Sequence, residues 1–164
     1  MSYFYIIEEE LKESEQPPKG MTPCIIKAQS LLPSMVGKLH ENFYHWNKLG
    51  LSPGPIQPNR IWFDDNGLLA FHFQAKEQPT PLMHTGFAPY LAAWLVLLNR
   101  WMETYVVIAR AGAIWSVGEL VSALSFTTPA FLPKELVAGL DPTQPNQWDQ
   151  IAHALAMTIV DRVE

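Results

Sequence analysis

The strongest constraint on the fold is the apolar stretch over residues 89–111, PYLAAWLVLLNRWMETYVVIARA. Every residue from Tyr90 to Leu98 is apolar or aromatic, so a helix here has no polar face at its start. The charged residues that follow are three and seven positions apart, which places them on one narrow stripe: Arg100, Glu103 and Arg110. A helix that is apolar almost all round is buried. The stretch therefore predicts one long helix at the centre of a core.

A second helix is predicted in front of Gly50. It begins between Ser30 and Ser34 and ends at Leu49. Its large apolar residues recur every three or four positions, as expected for one helical face: Val36, Leu39, Phe43 and Trp46. Gly50 suits the left-handed conformation with which many helices end. The pattern predicts an amphipathic helix with one face in the core.

A β-hairpin is predicted over residues 60–73, with the four residues 64–67 (DDNG) as its turn. Asp and Asn bond to their own backbone in turns, and Gly adopts a left-handed φ freely. A four-residue turn places one apolar set on one face: Trp62, Leu69, Phe71 and Phe73. It places a second set on the other face: Ile61, Phe63, Leu68, Ala70 and His72. Because both faces are apolar, we expect helices or a partner to cover them. We predict that a partner binds Trp62, Phe71 and Phe73.

The rest of the chain contributes shorter elements. Residues 2–7 predict a short N-terminal strand, and residues 13–23 predict a flexible loop because they contain two adjacent prolines and a glycine. Ser116 and Glu119 have the spacing of a capping box, and a last helix begins near Asn146. The whole pattern predicts a single domain over 1–164. Its class is α+β, predominantly α, with about four main helices around the central helix 89–111, a small β-hairpin (60–73) and a short N-terminal strand.

Charged residues make up only 16% of the chain, against a typical value of about 25%. None lies between Glu77 and Arg100. Two interpretations stay open. Part of the surface is hidden in an oligomer or against a partner, or the domain is compact with an unusually apolar core.

The net charge of −5 and the absence of a Lys/Arg cluster argue against nucleic acid and against an anionic membrane surface as partners. The longest apolar run in the central stretch has nine residues, whereas a membrane span requires about 20. We therefore expect no membrane insertion. The single cysteine, Cys24, allows no internal disulfide, which favours a reducing, cytoplasmic location.

No group of residues in the sequence has the spacing of a known catalytic or metal site. His40 and His45 are five positions apart, whereas two ligands on one helical face require four. A calcium loop that began at Asp64 would need a Glu at the position of Ala75. His153 stands alone, which is more typical of a structural histidine. The sequence therefore predicts no catalytic residue, no cofactor and no metal.

Two segments within residues 30–131 resemble the C-terminal lobe of eukaryotic-type protein kinases. Residues 53–67 (PGPIQPNRIWFDDNG) follow a predicted helix in the sequence. They are similar to the catalytic loop and the small hairpin of that family. Residues 115–120 (WSVGEL), followed by Pro129 and Phe131, are similar to a helix start in the same lobe. The resemblance implies that a helix, a loop and a hairpin pass under the helix that begins near Ser116.

The functional positions of the kinase family do not carry over. Pro55 stands where the family has its catalytic Asp, and Gln57 where it has a phosphate-contacting Lys. Arg60 stands in place of the metal-binding Asn, and Phe73 falls close to the metal-binding Asp. Phosphoryl transfer depends on these groups. The resemblance thus implies a pseudokinase-like remnant that binds, and kinase activity is not expected.

Together these features predict a non-catalytic protein-binding domain, acting as a subunit, adaptor or assembly factor of an intracellular complex. Its partner is another protein or a second copy of the chain, and six tryptophans offer anchors for such an interface. The alternative is a small-molecule-binding protein or enzyme. Its apolar pocket would lie between the central helix and the hairpin, with His72 or His84 as the polar group.

Overall fold

The computed structural model describes residues 2–24, 33–83, 86–137 and 147–163. The chain divides into two compact units, Met1–His84 and Thr85–Glu164. The first unit contains all of the described strands and the first helix, and the second unit contains helices. The prediction of a single domain over 1–164 stays a prediction.

The first unit is built on a five-stranded antiparallel sheet with the order β2-β1-β5-β4-β3. Its strands are β1 (Ser2–Ile7), β2 (Glu10–Ser14), β3 (Thr22–Pro23), β4 (Ile61–Phe63) and β5 (Leu69–Phe73). The prediction of only a small hairpin and a short N-terminal strand was wrong, because β1 pairs with β5 of the hairpin on one side and with β2 on the other. Strand β2 (ELKES) is mostly charged and exposed, so it lacks the apolar alternation by which a strand is recognised.

The turn between β1 and β2 also lacks the usual sequence signal. Glu8 and Glu9 both have positive φ, 53° and 64°, in a two-residue turn for which Asn and Gly are the common residues. Of the segment predicted as a loop over 13–23, the first two residues belong to β2 and the last two form β3.

Helix α1 (Pro33–Leu49) covers one face of the sheet. Its predicted apolar stripe is buried, and the indole of Trp46 packs edge-on against Phe71 of β5 with their ring centroids 5.1 Å apart. Phe43 lies 6.2 Å from the same ring. Gly50 follows the helix with φ +69°, so the predicted left-handed cap is confirmed.

The register of the hairpin differs from the predicted one by one residue. Phe63 pairs with Leu69 and Ile61 pairs with Phe71, so the connection contains five residues, 64–68, instead of four. The Asp64 carboxylate accepts hydrogen bonds from the backbone N–H groups of Asn66 and Leu68, both at 2.9 Å. A slip of one residue moves each side chain to the other face of a sheet. The predicted division of the hairpin into two faces was therefore wrong.

The second unit consists of α2 (Ala88–Leu98), α3 (Thr104–Gly112), α4 (Val117–Leu124), the short α5 (Lys134–Val137) and α6 (Gln147–Val163). The prediction of one central helix over 89–111 was wrong, because residues 99–103 separate α2 from α3. Glu103 has a non-helical backbone, with φ −59° and ψ 142°. In this break the Thr104 hydroxyl donates to Oδ1 of Asn99 at 2.9 Å, a side-chain bond that stabilises the turn. The apolar part, α2, is buried as predicted.

A cap stabilises the start of α4, and buried side chains and a hydrogen bond hold α6. The capping box of α4 is confirmed: the Ser116 hydroxyl accepts from the Glu119 amide, and the Glu119 carboxylate accepts from the Ser116 amide. Helix α6 buries Ile151 and Leu155. Near its end the Arg162 guanidinium donates to the carbonyl of Gly112, which fixes α6 to the end of α3. None of the described helices has both the length and the apolar character required to cross a lipid bilayer.

Candidate functional site

The three residues predicted to bind a partner lie on opposite faces of the sheet. Phe71 and Phe73 point towards the α1 side and are only 1% and 3% exposed, so they belong to the core of the first unit. Trp62 is half-buried on the other face, because alternate residues of a strand point in opposite directions. Among the predicted residues, only Trp62 combines a large ring with access to solvent.

Tyr3, which was not predicted as a site residue, and His72, which was predicted only as the polar group of a pocket, join Trp62 on this surface. The rings of Tyr3 and His72 are stacked, with a centroid distance of 4.6 Å and an angle of 20° between their planes. The ring of Trp62 meets Tyr3 edge-on at 5.5 Å. All three side chains are half-buried. We call this group, Tyr3, Trp62 and His72, the aromatic face.

Strand pairing sets the geometry of the aromatic face. Tyr3 lies directly opposite His72 in the β1–β5 ladder. Trp62 lies opposite Ala70, which sits on β5 between the strands of Trp62 and Tyr3. Because Ala70 carries only a methyl group, the indole reaches across β5 to the tyrosine. Cross-strand aromatic contacts of this kind hold the rings in fixed positions.

Arg60 contacts the end of β5, the strand that carries His72. Its Nε donates to the carbonyl of His72 at 2.9 Å, and its guanidinium lies over the ring of Phe73, 5.4 Å from the centroid. Nη2 forms an ion pair with Glu77 at 3.3 Å. Burial, and then the positive charge of Arg60, lower the pKa of His72 below its usual 6.5. The aromatic face therefore favours a neutral imidazole.

The two edges of the sheet are poor sites for adding a strand. The outer strand β2 carries Glu10, Lys12 and Glu13, all exposed, and the other outer strand has two residues, one of which is Pro23. Charged side chains, proline and short length each hinder edge-to-edge pairing. Any partner of the sheet is thus expected to contact side chains on its surface.

The break between α2 and α3 opens a cleft of about 810 Å³ in the second unit. Asn99, Thr104 and Gln150 line it. The Gln150 Oε1 atom accepts from Asn99 Nδ2 at 3.3 Å and lies 3.2 Å from Thr104 Oγ1, whose one proton is shared with the shorter bond to Asn99. Trp101 and Tyr105 lie in the lining as well. We call this site the helix-break cleft. The sequence analysis missed it, because an unbroken helix leaves no such space.

The other candidate residues are dispersed. His40 is buried in α1, Cys24 is buried, and His153 is exposed at the helix-break cleft. Within the described parts of the chain, no three or more His, Cys, Asp or Glu side chains are grouped so that they could hold a metal ion. His84 lies outside the described residues. The predicted pocket between central helix and hairpin involves both units and stays a prediction.

Comparison with known proteins gives no relative from which a role can be transferred. No family model, no curated protein and no solved structure matches this chain. The resemblance to a kinase lobe therefore stays a prediction, and the functional argument depends on the residues described above.

Proposed function

We propose that the chain is a non-catalytic protein-binding domain that contacts its partner through the aromatic face. It acts as a subunit, adaptor or assembly factor of a cytoplasmic complex. The observation that carries this proposal is the packed arrangement of Tyr3, His72 and Trp62 on one surface of the sheet. Tyr and Trp are enriched among the residues that dominate the binding energy of interfaces.

The strand register supports this function because it fixes the three rings before a partner arrives. Each ring comes from a different strand, and these three strands, β1, β5 and β4, are adjacent in the sheet. A preorganised aromatic surface loses little side-chain entropy on binding. The charged outer strand β2 and the short outer strand β3 hinder main-chain pairing with another strand. This also supports contact through side chains.

The kinase-lobe resemblance supports binding over phosphoryl transfer. Two of the positions that the family uses for metal ions have structural roles in this chain. Phe73 is 3% exposed in the core, and Arg60 is engaged with a backbone carbonyl and with Glu77. On this view the hairpin has kept its packing, and its outer surface serves recognition.

Affinity capture from the native extract tests the proposal, with four tagged proteins compared side by side. We expect a stoichiometric partner to copurify with the wild type and to be lost with Trp62→Ala and with Tyr3→Ala. The matched control is Phe131→Ala, which removes an aromatic side chain that is 59% exposed in the second unit. Equal recovery of the partner by all four proteins would contradict the aromatic face as the contact surface.

Light scattering on the purified wild type distinguishes a second copy of the chain from a different partner. A dimer that Trp62→Ala converts to a monomer would identify the chain as its own partner. A monomeric wild type would direct the search to a different protein. A monomer that also captures no protein would contradict the proposed function.

A second candidate function is the binding of a small molecule. The observation that favours it is the helix-break cleft, whose volume of about 810 Å³ lies within the range of about 300–1,000 Å³ that is usual for ligand sites. This cleft differs from the pocket that the sequence predicted, since its lining residues all belong to the second unit.

A further inference from the structure

Several hydrogen-bonding groups that line the helix-break cleft have donors or acceptors beyond those in their bonds to one another. The carbonyl oxygen of Gln150 accepts a bond from Asn99 and shares the Thr104 hydroxyl proton with the Asn99 carbonyl oxygen. In the described residues no acceptor is bonded to the two N–H donors of the Gln150 amide. Asn99 has a second N–H donor, and the Thr104 hydroxyl oxygen keeps its lone pairs. The cleft therefore offers several neutral donors and acceptors to a bound molecule.

The charged groups around the cleft are already engaged with the protein. The Arg100 guanidinium donates to the backbone carbonyl of Glu135. The Glu103 carboxylate accepts a hydrogen bond from the Tyr105 hydroxyl and raises the pKa of that phenol. A ligand that carried a full charge would meet one group of each sign, so one of the two would repel it. A neutral ligand meets no such repulsion.

The aromatic residues that line the cleft favour a second property in a ligand, which is C–H surface. Trp101 is half-buried, and Tyr105 is 69% exposed, so both present ring surface to an occupant of the cleft. Ring faces attract the slightly positive hydrogens of C–H groups, because their π-systems are negative. A suitable ligand thus combines C–H surfaces with many neutral polar groups.

We propose that the helix-break cleft binds a neutral saccharide, with hydroxyl groups on Asn99, Thr104 and Gln150 and a sugar ring against Trp101. Hydroxyl groups both donate and accept, so they match the mixed amide and hydroxyl lining in several orientations. The volume of the cleft, about 810 Å³, admits more than one sugar unit. The site uses residues of the second unit only. The proposal rests on the second candidate function, the binding of a small molecule, and is independent of the aromatic face.

Titration of the isotopically labelled full chain, followed by NMR, tests this site. The probes are three neutral disaccharides, maltose, cellobiose and sucrose, with adenosine and inorganic phosphate for comparison. We expect at least one disaccharide to shift the side-chain amide signals of Asn99 and Gln150 and the indole signal of Trp101. A dissociation constant of about 1 mM is expected for such an open site.

Variants separate the contacts of the proposal. Gln150→Ala and Trp101→Ala are each expected to weaken the binding of the disaccharide about tenfold. Trp101→Phe keeps a ring face and is expected to retain most of the affinity. Gln74→Ala, an exposed glutamine of the first unit, is the matched control and is expected to bind like the wild type.

The proposal is overturned by any of three results. None of the disaccharides shifts the cleft signals at up to about 10 mM, ten times the expected constant. Adenosine or phosphate binds at the cleft more tightly than every disaccharide. A disaccharide binds, but Trp101→Ala and Gln150→Ala, whose spectra show a folded chain, leave its affinity unchanged.

Discussion

The imidazole of His72 lies nearly parallel to the ring of Tyr3, with 4.6 Å between their centroids. The two residues are direct partners in the β1–β5 ladder, so the stack connects the N-terminal strand to the hairpin. It occurs on the face of the sheet opposite the buried phenylalanines. This pair makes the aromatic face sensitive to the charge of the imidazole.

The stability of the first unit is expected to fall as the pH falls below 6.5. Burial and Arg60 lower the pKa of His72 in the fold, whereas the unfolded chain has the ordinary value of 6.5. Above pH 6.5 the imidazole is neutral in both states and the stack contributes fully. Below it the unfolded chain takes up the proton first, so the free energy of unfolding decreases until the pH passes the pKa of the folded state.

Urea unfolding between pH 8 and pH 5 measures this effect in the wild type and in His72→Phe, which keeps an aromatic ring and cannot be protonated. The wild type should lose more stability than the variant over the lower part of this range. NMR titration of the His72 ring should give a pKa below 6.5. Parallel curves for the two proteins would refute the assigned cause.

Phe71→Ala is expected to cost about 3–5 kcal/mol of stability, since it empties a space beside Trp46 and Phe43 in the core. Trp62→Ala removes a half-buried ring and should cost less than half as much. Urea unfolding followed by circular dichroism compares the two variants. A greater loss in Trp62→Ala would show that the assignment of the two sheet faces is wrong.

Gly67→Ala is expected to destabilise the hairpin by at least about 2 kcal/mol. Gly67 has φ +79°, and a Cβ atom there would lie 2.7 Å from Cβ of Lys38 and 3.2 Å from its carbonyl carbon. The matched control is Gly50→Ala, where φ is +69° and no atom lies within 4 Å of the added carbon. Gly50→Ala should lose only the free energy that a positive φ costs an alanine, about 1 kcal/mol. Equal losses in unfolding experiments would refute the close approach of α1 to the turn.

Ser116→Ala is expected to reduce the stability of the second unit by about 1 kcal/mol, because the Glu119 amide loses its cap. Ser122→Ala serves as the control within the same helix. Among the described residues, its exposed hydroxyl bonds only to the carbonyl of Gly118, one turn before it. Thermal unfolding should separate the two variants, and a loss in Ser122→Ala as large as that in Ser116→Ala would contradict this account of the cap.

The elements that the sequence predicted correctly are those with strong local signals. The stripe of α1, its glycine cap and the capping box of α4 each depend on residues within about three helical turns of one another. Such patterns keep their meaning whatever the chain packs against. The hairpin was found for the same reason, since Asp64 bonds to the backbone of its own turn.

The prediction of the two hairpin faces depended on the number of residues in the turn, which the sequence does not fix. Counting residues 64–67 as the turn placed Trp62 and Phe71 together, but Leu68 also belongs to the connection. The shift of one residue places Trp62 on the face of Ala70 and His72, whereas Phe71 and Phe73 lie on the other face, in the core. Tyr3 was missed as a site residue because its contacts lie about 60–70 positions away in sequence.

The helix-break cleft escaped prediction for a related reason. Residues 99–103 contain neither Gly nor Pro, so no local signal ends the helix there. The polar side chains that line the break come from residues 99, 104 and 150, and the last of these is distant in sequence. Only the packing of α6 brings Gln150 to the break.

Site-specific photo-cross-linking tests the central claim, that the aromatic face binds a protein, most directly. A benzophenone amino acid replaces Lys12 in one protein and Phe131 in another, and each is irradiated in the native extract. Lys12 is exposed and lies opposite Tyr5 on the same face of the sheet as Tyr3, so the aromatic face stays intact. The account predicts a discrete adduct with one protein, or with a second copy of the chain, from position 12 and not from position 131. No adduct at position 12, or the same set of adducts from both positions, would contradict it.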